Sequence, residues 1–193
     1  KFRLIYARLT IIGKEKITFI STTGLYSRYK LWSSEMETCG KSEEIVEQIS
    51  VLDDPDSGLS GAIVVHSTAL GPAAGGCRLW HYATPNAAHD DAMRLAKGMA
   101  YKNAIAGLPL GGGKAVLRLS QGPFNRDKLF LAFGKAVEKL GGKYVTAEDV
   151  GTSVADMERV ARATRHVAGL TQKPGQAGGD PSPWTAQGVY EAM

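Results

Sequence analysis

The sequence predicts an α/β domain in which helices cover an open sheet. Segments of strand-like character alternate with segments of helical periodicity from residue 44 to residue 165, as they do in α/β sheet domains. The 193 residues are enough for one sizeable core and part of a second. Hydrophobic residues make up 44% and charged residues 22% of the chain, which is the ordinary composition of a globular protein.

The first predicted elements of this domain are extended. The segments IVEQISVL and GAIVVHS are rich in β-branched residues, and they flank DDPDSG, which is dense in turn formers. This pattern predicts two strands joined by a turn between residues 44 and 67. A third short extended stretch is expected at residues 76–82.

Helical periodicity begins after these strands. Apolar residues three and four positions apart predict a helix with one apolar stripe. The stripe consists of Ala88, Ala92, Leu95, Ala96 and Met99. Residues 127–140 show the same periodicity and precede Gly141 and Gly142, which favour the end of a helix.

Two more strands and a third helix complete the predicted alternation. Residues 115–119 and 143–146 are short apolar runs that predict strands. Residues 153–165 are predicted to form a helix, because Ser153 and Asp156 have the spacing of a capping box.

The N-terminal stretch differs from the rest of the chain. Residues 1–40 hold seven of the 23 basic residues and three of the 19 acidic ones, so the other 153 residues carry sixteen of each sign. The net charge of +4 therefore belongs to this stretch and predicts no nucleic-acid-binding face on the main domain. We interpret residues 1–40 as an atypical, poorly ordered basic leader; the alternative is a basic arm that binds a partner.

Residues 41–182 are expected to form the main domain. Ser182 and Pro183 then suit the N-cap and first turn of a further helix. This helix has barely three turns before Met193, so the sequence is expected to be cut inside an element, with residues 183–193 as its beginning.

Composition also limits the class of protein. No apolar run approaches the length of a membrane span, so no membrane association is expected. The two cysteines and four histidines form no metal-ligand pattern and no disulfide framework, and we expect no metal site. A reducing, cytoplasmic location is the corresponding expectation.

The segment LPLGGGKAV, residues 108–116, runs three glycines directly into a lysine. A phosphate-binding loop needs a glycine five residues before Gly113 and a Ser or Thr after Lys114. Those positions are Leu108 and Ala115. The lysine is therefore not predicted to bind phosphate.

Three charged residues stand out by their positions. Lys102 follows Met99 by three residues and so continues the apolar face of its helix; it either extends past the helix end to solvent or points into a site. Lys114 precedes a buried strand and is poorly placed for solvent. Asp149 follows a strand, where ligands collect in open α/β folds, although an Asp there is also a common turn residue.

Two inward lysines and a carboxylate would suit the chemistry of an α-amino or α-keto acid. One ammonium can pair with the substrate carboxylate. Its field, together with burial, lowers the pKa of the second lysine, which can then exchange protons near neutral pH. The Asp can hold a water molecule or relay a second proton.

Four segments carry a resemblance to a known family. They are GPAAGGCR (71–78), RLAKGMAYKNAIAGLPLGGGKAV (94–116), YVTAEDVGTSVADM (144–157) and GGDPSPWTAQGVY (178–190). In order and spacing, the chain from about Glu44 onward resembles the glutamate, leucine, phenylalanine and valine dehydrogenases. The resemblance implies a three-layer substrate (dimerisation) domain, with a truncated Rossmann domain after it and residues 183–193 as the hinge helix.

The resemblance implies roles for matching residues. Lys114 would be the catalytic general acid/base and Asp149 the catalytic aspartate. The residues implied in substrate binding are Gly75, Gly76, Met99 and Lys102, with Lys102 on the substrate carboxylate. Pro181 and Thr185 would lie beside a nicotinamide ring.

The resemblance also implies a reaction and a cofactor. The family transfers hydride from Cα to NAD(P), adds water to the imine and releases ammonia and a 2-oxo acid. We expect NAD, while the sequence itself does not separate NAD from NADP. No G-x-G-x-x-G fingerprint is present in the 193 residues, so part of the cofactor site is expected to be missing, and the chain alone is expected to be nearly inactive.

Ala74 bears on the substrate. Glutamate-specific relatives carry a lysine before the paired glycines, where it meets a side-chain carboxylate. An apolar wall at this position rejects an unpaired carboxylate, so the expected substrate is leucine, valine, isoleucine or phenylalanine. A homo-oligomer is expected through the substrate domain. The competing interpretation is a non-catalytic assembly or binding module.

Overall fold

The computed structural model describes residues 10–11, 17–18, 46–119, 122, 124–175 and 177–193. The chain divides into two compact units, residues 1–44 and 45–193. In the first unit, strands β1 (Thr10–Ile11) and β2 (Ile17–Thr18) form an antiparallel pair. The prediction of a poorly ordered leader falls mostly outside the described residues and stays a prediction.

The second unit is built on one five-stranded mixed sheet. Its spatial order is β3-β4-β6-β5-β7, with antiparallel pairing from β3 to β6 and parallel pairing from β6 through β5 to β7. The strands are β3 (Gln48–Asp54), β4 (Leu59–Ser67), β5 (Ala73–Trp80), β6 (Gly111–Arg118) and β7 (Tyr144–Glu148). This order places β5 between β6 and β7, and the site described below depends on it.

Helices cover both faces of the sheet. Helix α1 (Pro85–Ile105) packs on one face, and α2 (Arg126–Glu138) and α3 (Val154–Ala161) pack on the other. Helix α4 (Ser182–Ala192) follows them in the chain and has no buried residue. Successive residues of β4 point to opposite faces: Ile63 packs in the large core that includes α2 and α3, whereas Val64 packs with the alanines of α1. The predicted three-layer α/β architecture is therefore confirmed. None of the described helices is long and apolar enough to cross a membrane.

Local signals located the start of α3 and the end of α2, although α3 ends at Ala161 and not at residue 165 as predicted. Asp156 and Ser153 form the predicted capping box at the start of α3, and Gly141 and Gly142 follow α2 with φ of 59° and 87°. The final helix begins at Ser182 rather than after it, with Pro181 and not Ser182 at the N-cap. The Asp180 carboxylate accepts a hydrogen bond from the Ser182 backbone N–H at 2.8 Å.

The triple glycine differs most from expectation, since it belongs to a strand. Strand β6 begins at Gly111, not at Ala115. A Cβ at Gly112 would lie 2.4 Å from Cβ of Ala100 on α1, and a Cβ at Gly113 would lie 2.7 Å from the Tyr144 ring. Both faces of the strand are therefore occupied at close range, and only glycine fits between them.

Candidate functional site

The site centres on an ion pair between two of the predicted residues. Lys114 lies in β6 and Asp149 directly follows β7. The Lys114 Nζ atom is 3.0 Å from Oδ2 of Asp149. The structure thus brings together two side chains that are separated by an intervening strand, β5.

Burial changes the titration of both groups. The Lys114 side chain is only 5% exposed. Burial lowers its pKa and the Arg78 guanidinium lowers it further, while Asp149 acts in the opposite direction; the net pKa is below the ordinary value. Burial raises the pKa of Asp149, but Lys114 and Arg78 more than offset this, and the pKa of the carboxyl is lowered. At neutral pH Asp149 is a carboxylate, and Lys114 is closer to releasing a proton than an exposed lysine.

Arg78 was not predicted from the sequence, and it is the second cation of the site. Its Nε atom donates to the same Oδ2 of Asp149 at 3.0 Å. Its Nη1 atom lies 3.0 Å from Oδ2 of Asp91 on α1. The sequence did contain one indication of its role: Arg78 is a long charged side chain in a strand, AAGGCRLW, that otherwise consists largely of small and apolar residues. This cation, and not Lys102, is the one that lowers the pKa of Lys114.

The paired glycines allow the backbone to approach this ion pair. A Cβ at Gly76 would lie 2.7 Å from Cβ of Asp149, and a Cβ at Gly75 would lie 1.9 Å from the Gly113 carbonyl oxygen and 3.1 Å from Cγ of Met99. The two glycines therefore lie beside Asp149 and Met99, and their role in a substrate pocket stays a prediction. The buried Tyr144 hydroxyl donates to the Gly75 carbonyl at 2.7 Å and holds this backbone in place.

Lys102 is placed differently from the expectation that it points inward. It is exposed, and the buried residue of that turn is Asn103. The buried positions of α1 are Ala88, Ala92, Ala96 and Asn103. Met99 is half-buried, so Lys102, three residues later, continues the flank of the helix rather than its buried stripe.

The remaining predicted residues lie around the pair. Ala74 is half-buried in β5, opposite Gly112 of β6, and its carbonyl accepts a hydrogen bond of 3.4 Å from Asn103. Pro181 and Thr185 are exposed at the start of α4, where the Thr185 hydroxyl donates to the Pro181 carbonyl at 3.2 Å. Among the described residues, no hydrogen bond or ion pair joins these two to Lys114 or Asp149.

The environment of Lys114 is not that of a phosphate loop. Gly112 and Gly113 pair with Ser67 and Val65 of β4, so their backbone groups belong to the sheet. In a phosphate loop the glycines run from a strand into the N-terminus of a helix and leave their N–H groups free for the anion.

Known proteins resemble the part of the chain that contains this site. The family model described as "Glu/Leu/Phe/Val dehydrogenase, dimerisation domain" matches residues 43–166. The leucine dehydrogenase of Geobacillus stearothermophilus is 48% identical over 147 residues, which is 76% of this chain and 40% of that protein. The valine dehydrogenase of Streptomyces virginiae is 51% identical over 147 residues, 76% of this chain and 41% of that protein.

Solved structures show the same fold. The L-tryptophan dehydrogenase from Nostoc punctiforme superposes with a TM-score of 0.62 at 33% identity, covering 77% of this chain and 40% of that one. A hetero-hexameric glutamate dehydrogenase from Thermus thermophilus, at 22% identity, gives a TM-score of 0.60 over 76% of this chain and 40% of its own. The chain thus spans about 40% of the length of the curated relatives it matches. Since the family model covers well over half of the chain, and the ion pair and its glycines lie inside the match, this protein belongs to the Glu/Leu/Phe/Val dehydrogenase family.

Proposed function

We propose that residues 41–182 are the substrate-binding and catalytic domain of a dehydrogenase that converts an apolar L-amino acid to its 2-oxo acid and ammonia. The observation that carries this proposal is the buried Lys114 paired with Asp149 beside Gly75 and Gly76. The names of relatives such as leucine and valine dehydrogenase support the apolar substrate.

Lys114 is proposed to move the proton. A lysine whose pKa lies below its usual value can accept and return a proton nearer to neutral pH. In the oxidative direction the neutral amine would take a proton from the water that attacks Cα, and in the reverse direction the ammonium would return it. Asp149 stays ionised beside it and can accept a hydrogen bond from the substrate amine or from that water.

Lys102, Met99 and the glycines are proposed to hold the substrate. Lys102 is exposed and follows Met99 by one helical turn on α1. The Met99 side chain lies close to Gly75, since a Cβ added there would be 3.1 Å from Met99 Cγ. A lysine ammonium on a flexible stem can meet the α-carboxylate as a point charge. The backbone of Gly75 and Gly76 leaves the pocket floor without Cβ atoms, and Ala74 adds an apolar wall.

The cofactor is proposed to be NAD. Pro181 and Thr185 are exposed at the start of α4 and fit one wall beside a nicotinamide. The sequence holds no dinucleotide fingerprint, so these residues do not form a complete site. NAD, when bound, accepts the hydride from Cα. We therefore propose that residues 183–193 form a hinge helix toward a dinucleotide-binding domain and that the 193 residues alone have almost no activity.

Self-association is proposed through the substrate domain. The matching family model describes a dimerisation domain, and edge strand β3 exposes Ile49 and Val51. Light scattering after size-exclusion chromatography would report the mass of the 193-residue chain. A strictly monomeric chain would contradict this assignment. A cytoplasmic location remains a prediction from the sequence.

The activity can be tested in a chimera. The 147-residue matching segment of this chain would replace its counterpart in the G. stearothermophilus leucine dehydrogenase, and absorbance of the reduced cofactor would be followed with leucine and NAD. We expect turnover with NAD. A folded chimera without turnover would contradict the proposal.

The two lysines should fail differently in this chimera. Loss of general acid/base catalysis typically costs about 10²–10⁴-fold, so Lys114→Ala should lower kcat by that order. Lys102→Ala should mainly raise KM for the amino acid, since it removes a binding charge. Lys135→Ala, on the exposed side of α2, is the control. An unchanged kcat in Lys114→Ala would refute its role.

A further inference from the structure

Two cations converge on one oxygen of the site carboxylate. Lys114 Nζ and Arg78 Nε both lie 3.0 Å from Oδ2 of Asp149. Oδ1 of the same carboxylate accepts no hydrogen bond from any residue that the structure describes. One oxygen of Asp149 is therefore occupied by protein, and the other remains available to a bound molecule.

Arg78 is itself held from the opposite side. Its Nη1 atom is 3.0 Å from Oδ2 of Asp91 on α1. The Tyr82 hydroxyl donates to that same oxygen at 2.6 Å, and Arg94 binds the other oxygen at 2.6 Å. The guanidinium thus connects α1 to the end of β7 and has its orientation fixed by two carboxylates. A fixed planar fork loses little conformational entropy for each hydrogen bond that it makes.

The two cations differ in what they can do with a proton. An arginine stays protonated throughout the accessible pH range, whereas a buried lysine can become neutral. When Lys114 releases its proton, Arg78 still neutralises Asp149. Without Arg78, the proton of Lys114 would be the sole charge balancing Asp149 among the described residues that contact this carboxylate.

We propose that Arg78 is a positioning residue that holds Asp149 by Oδ2, keeps Oδ1 free for the reacting amine or water, and lets Lys114 lose its proton while Asp149 stays ionised. This inference deepens the proposed function and rests on it for the identity of the reaction. Its electrostatic part concerns the chain alone.

The charged surroundings of Lys114 agree with this role. Asp149, beyond β7, raises the pKa of the lysine, and Arg78, on β5, lowers it; the thiol of Cys77, also on β5, has a smaller influence. Asp91, on α1, meets the site through Arg78. Removing Arg78 would eliminate the repulsion between its guanidinium and the Lys114 ammonium. It would also leave Lys114 as the remaining cation bound to Asp149 among the described residues. Each of these effects raises the pKa of Lys114.

The test compares Arg78→Met with Arg94→Met in the 193-residue chain. Both arginines bind Asp91, but Arg78 is the one that also contacts Asp149. With lysines labelled by ¹³C at Cε, NMR titration follows the Lys114 signal, assigned by its loss in Lys114→Ala. We expect the midpoint of Lys114 to move to higher pH in Arg78→Met and to stay at the wild-type value in Arg94→Met.

A second variant covers the case in which Arg78→Met does not fold. Arg78→Lys retains the charge, but one ammonium cannot reproduce the fork that spans Asp91 and Asp149; we expect a smaller shift in the same direction. An unchanged Lys114 midpoint in a folded Arg78 variant would overturn the inference. An equal shift in Arg94→Met would also overturn it, because the effect would then come from general positive charge.

The chimera separates this inference from the proposed function. In an active chimera, kcat/KM should rise with pH as Lys114 loses its proton. Arg78→Met should move this rise to higher pH, which a purely structural role would not do. If the chimera is inactive but the Lys114 midpoint shifts in Arg78→Met, the proposed dehydrogenase reaction is refuted and the electrostatic role of Arg78 still stands. An active chimera with an unshifted profile would refute Arg78 alone.

Discussion

Replacing Gly112 with alanine should strongly destabilise the main domain, because the added methyl group has no room. An ideal Cβ at Gly112 would lie 2.4 Å from both Cβ and the backbone N of Ala100, and 2.6 Å from its Cα. Carbon atoms in favourable contact are about 3.5–4.0 Å apart. Helix α1 would therefore have to move away from β6 by roughly 1 Å or more.

The expected cost follows from the atoms involved. Extra methyl groups in packed cores cost about 1–3 kcal/mol, and occasionally more. Two of the three nearest atoms are backbone atoms of a helix and cannot turn aside, so we expect the upper end, about 3 kcal/mol. With a slope of about 2 kcal/mol per M urea, the unfolding midpoint should fall by roughly 1.5 M.

Two further variants make this prediction specific. Gly98 is an exposed glycine of α1, and a Cβ there meets nothing within 4 Å; Gly98→Ala should stabilise by about 0.5–1 kcal/mol. Adding Ala100→Gly to Gly112→Ala should rescue only part of the loss, because the Ala100 N and Cα atoms remain in the way. A Gly112→Ala protein that unfolds at the wild-type urea concentration would refute the close packing of α1 on β6.

Three other perturbations test the site and the core. Tyr144→Phe removes the hydroxyl that donates to the buried Gly75 carbonyl and should cost about 1–3 kcal/mol in urea unfolding; an unchanged midpoint would mean that the bond contributes nothing. Burial raises the pKa of Asp156, but hydrogen bonds from Arg126 and Ser153 outweigh it and the pKa is lowered. The ionised Asp156 should therefore stabilise the fold fully well above pH 4, and this stabilisation should decline as the pH falls below about 4. The difference in unfolding free energy between wild type and Asp156→Asn should thus be smaller at pH 3 than at pH 7, and a constant difference would contradict this. In the active chimera, Ala74→Lys should narrow the preference in kcat/KM for leucine over glutamate by supplying a counter-charge, and an original ratio near or below one would refute the apolar substrate.

The features predicted correctly from the sequence are those set by neighbours along the chain. The end of α2 needs Gly141 and Gly142, which adopt positive φ, and the start of α3 needs Ser153 and Asp156 three residues apart. Lys102 shows the limit of the same reasoning. Spacing from Met99 puts it on one flank of α1, but which flank faces the sheet depends on Asn103, whose amide binds the Gly111 carbonyl at 2.6 Å.

Arg78 could not be located from spacing, because its role depends on strand order. It is 71 residues from Asp149 and 13 from Asp91, and only the insertion of β5 between β6 and β7 brings all three together. Periodicity predicts that a strand exists, not which strands become its neighbours. The resemblance to a family pointed to Lys114 and Asp149. That Lys114 and Arg78 both bind Oδ2 of Asp149 follows only from the order of the strands in the folded sheet. The triple glycine also depends on the folded sheet. Gly112 and Gly113 must be small because helix α1 and Tyr144 occupy the two faces of β6. With β6 buried in this way, the Lys114 side chain binds the Asp149 carboxylate and does not reach solvent.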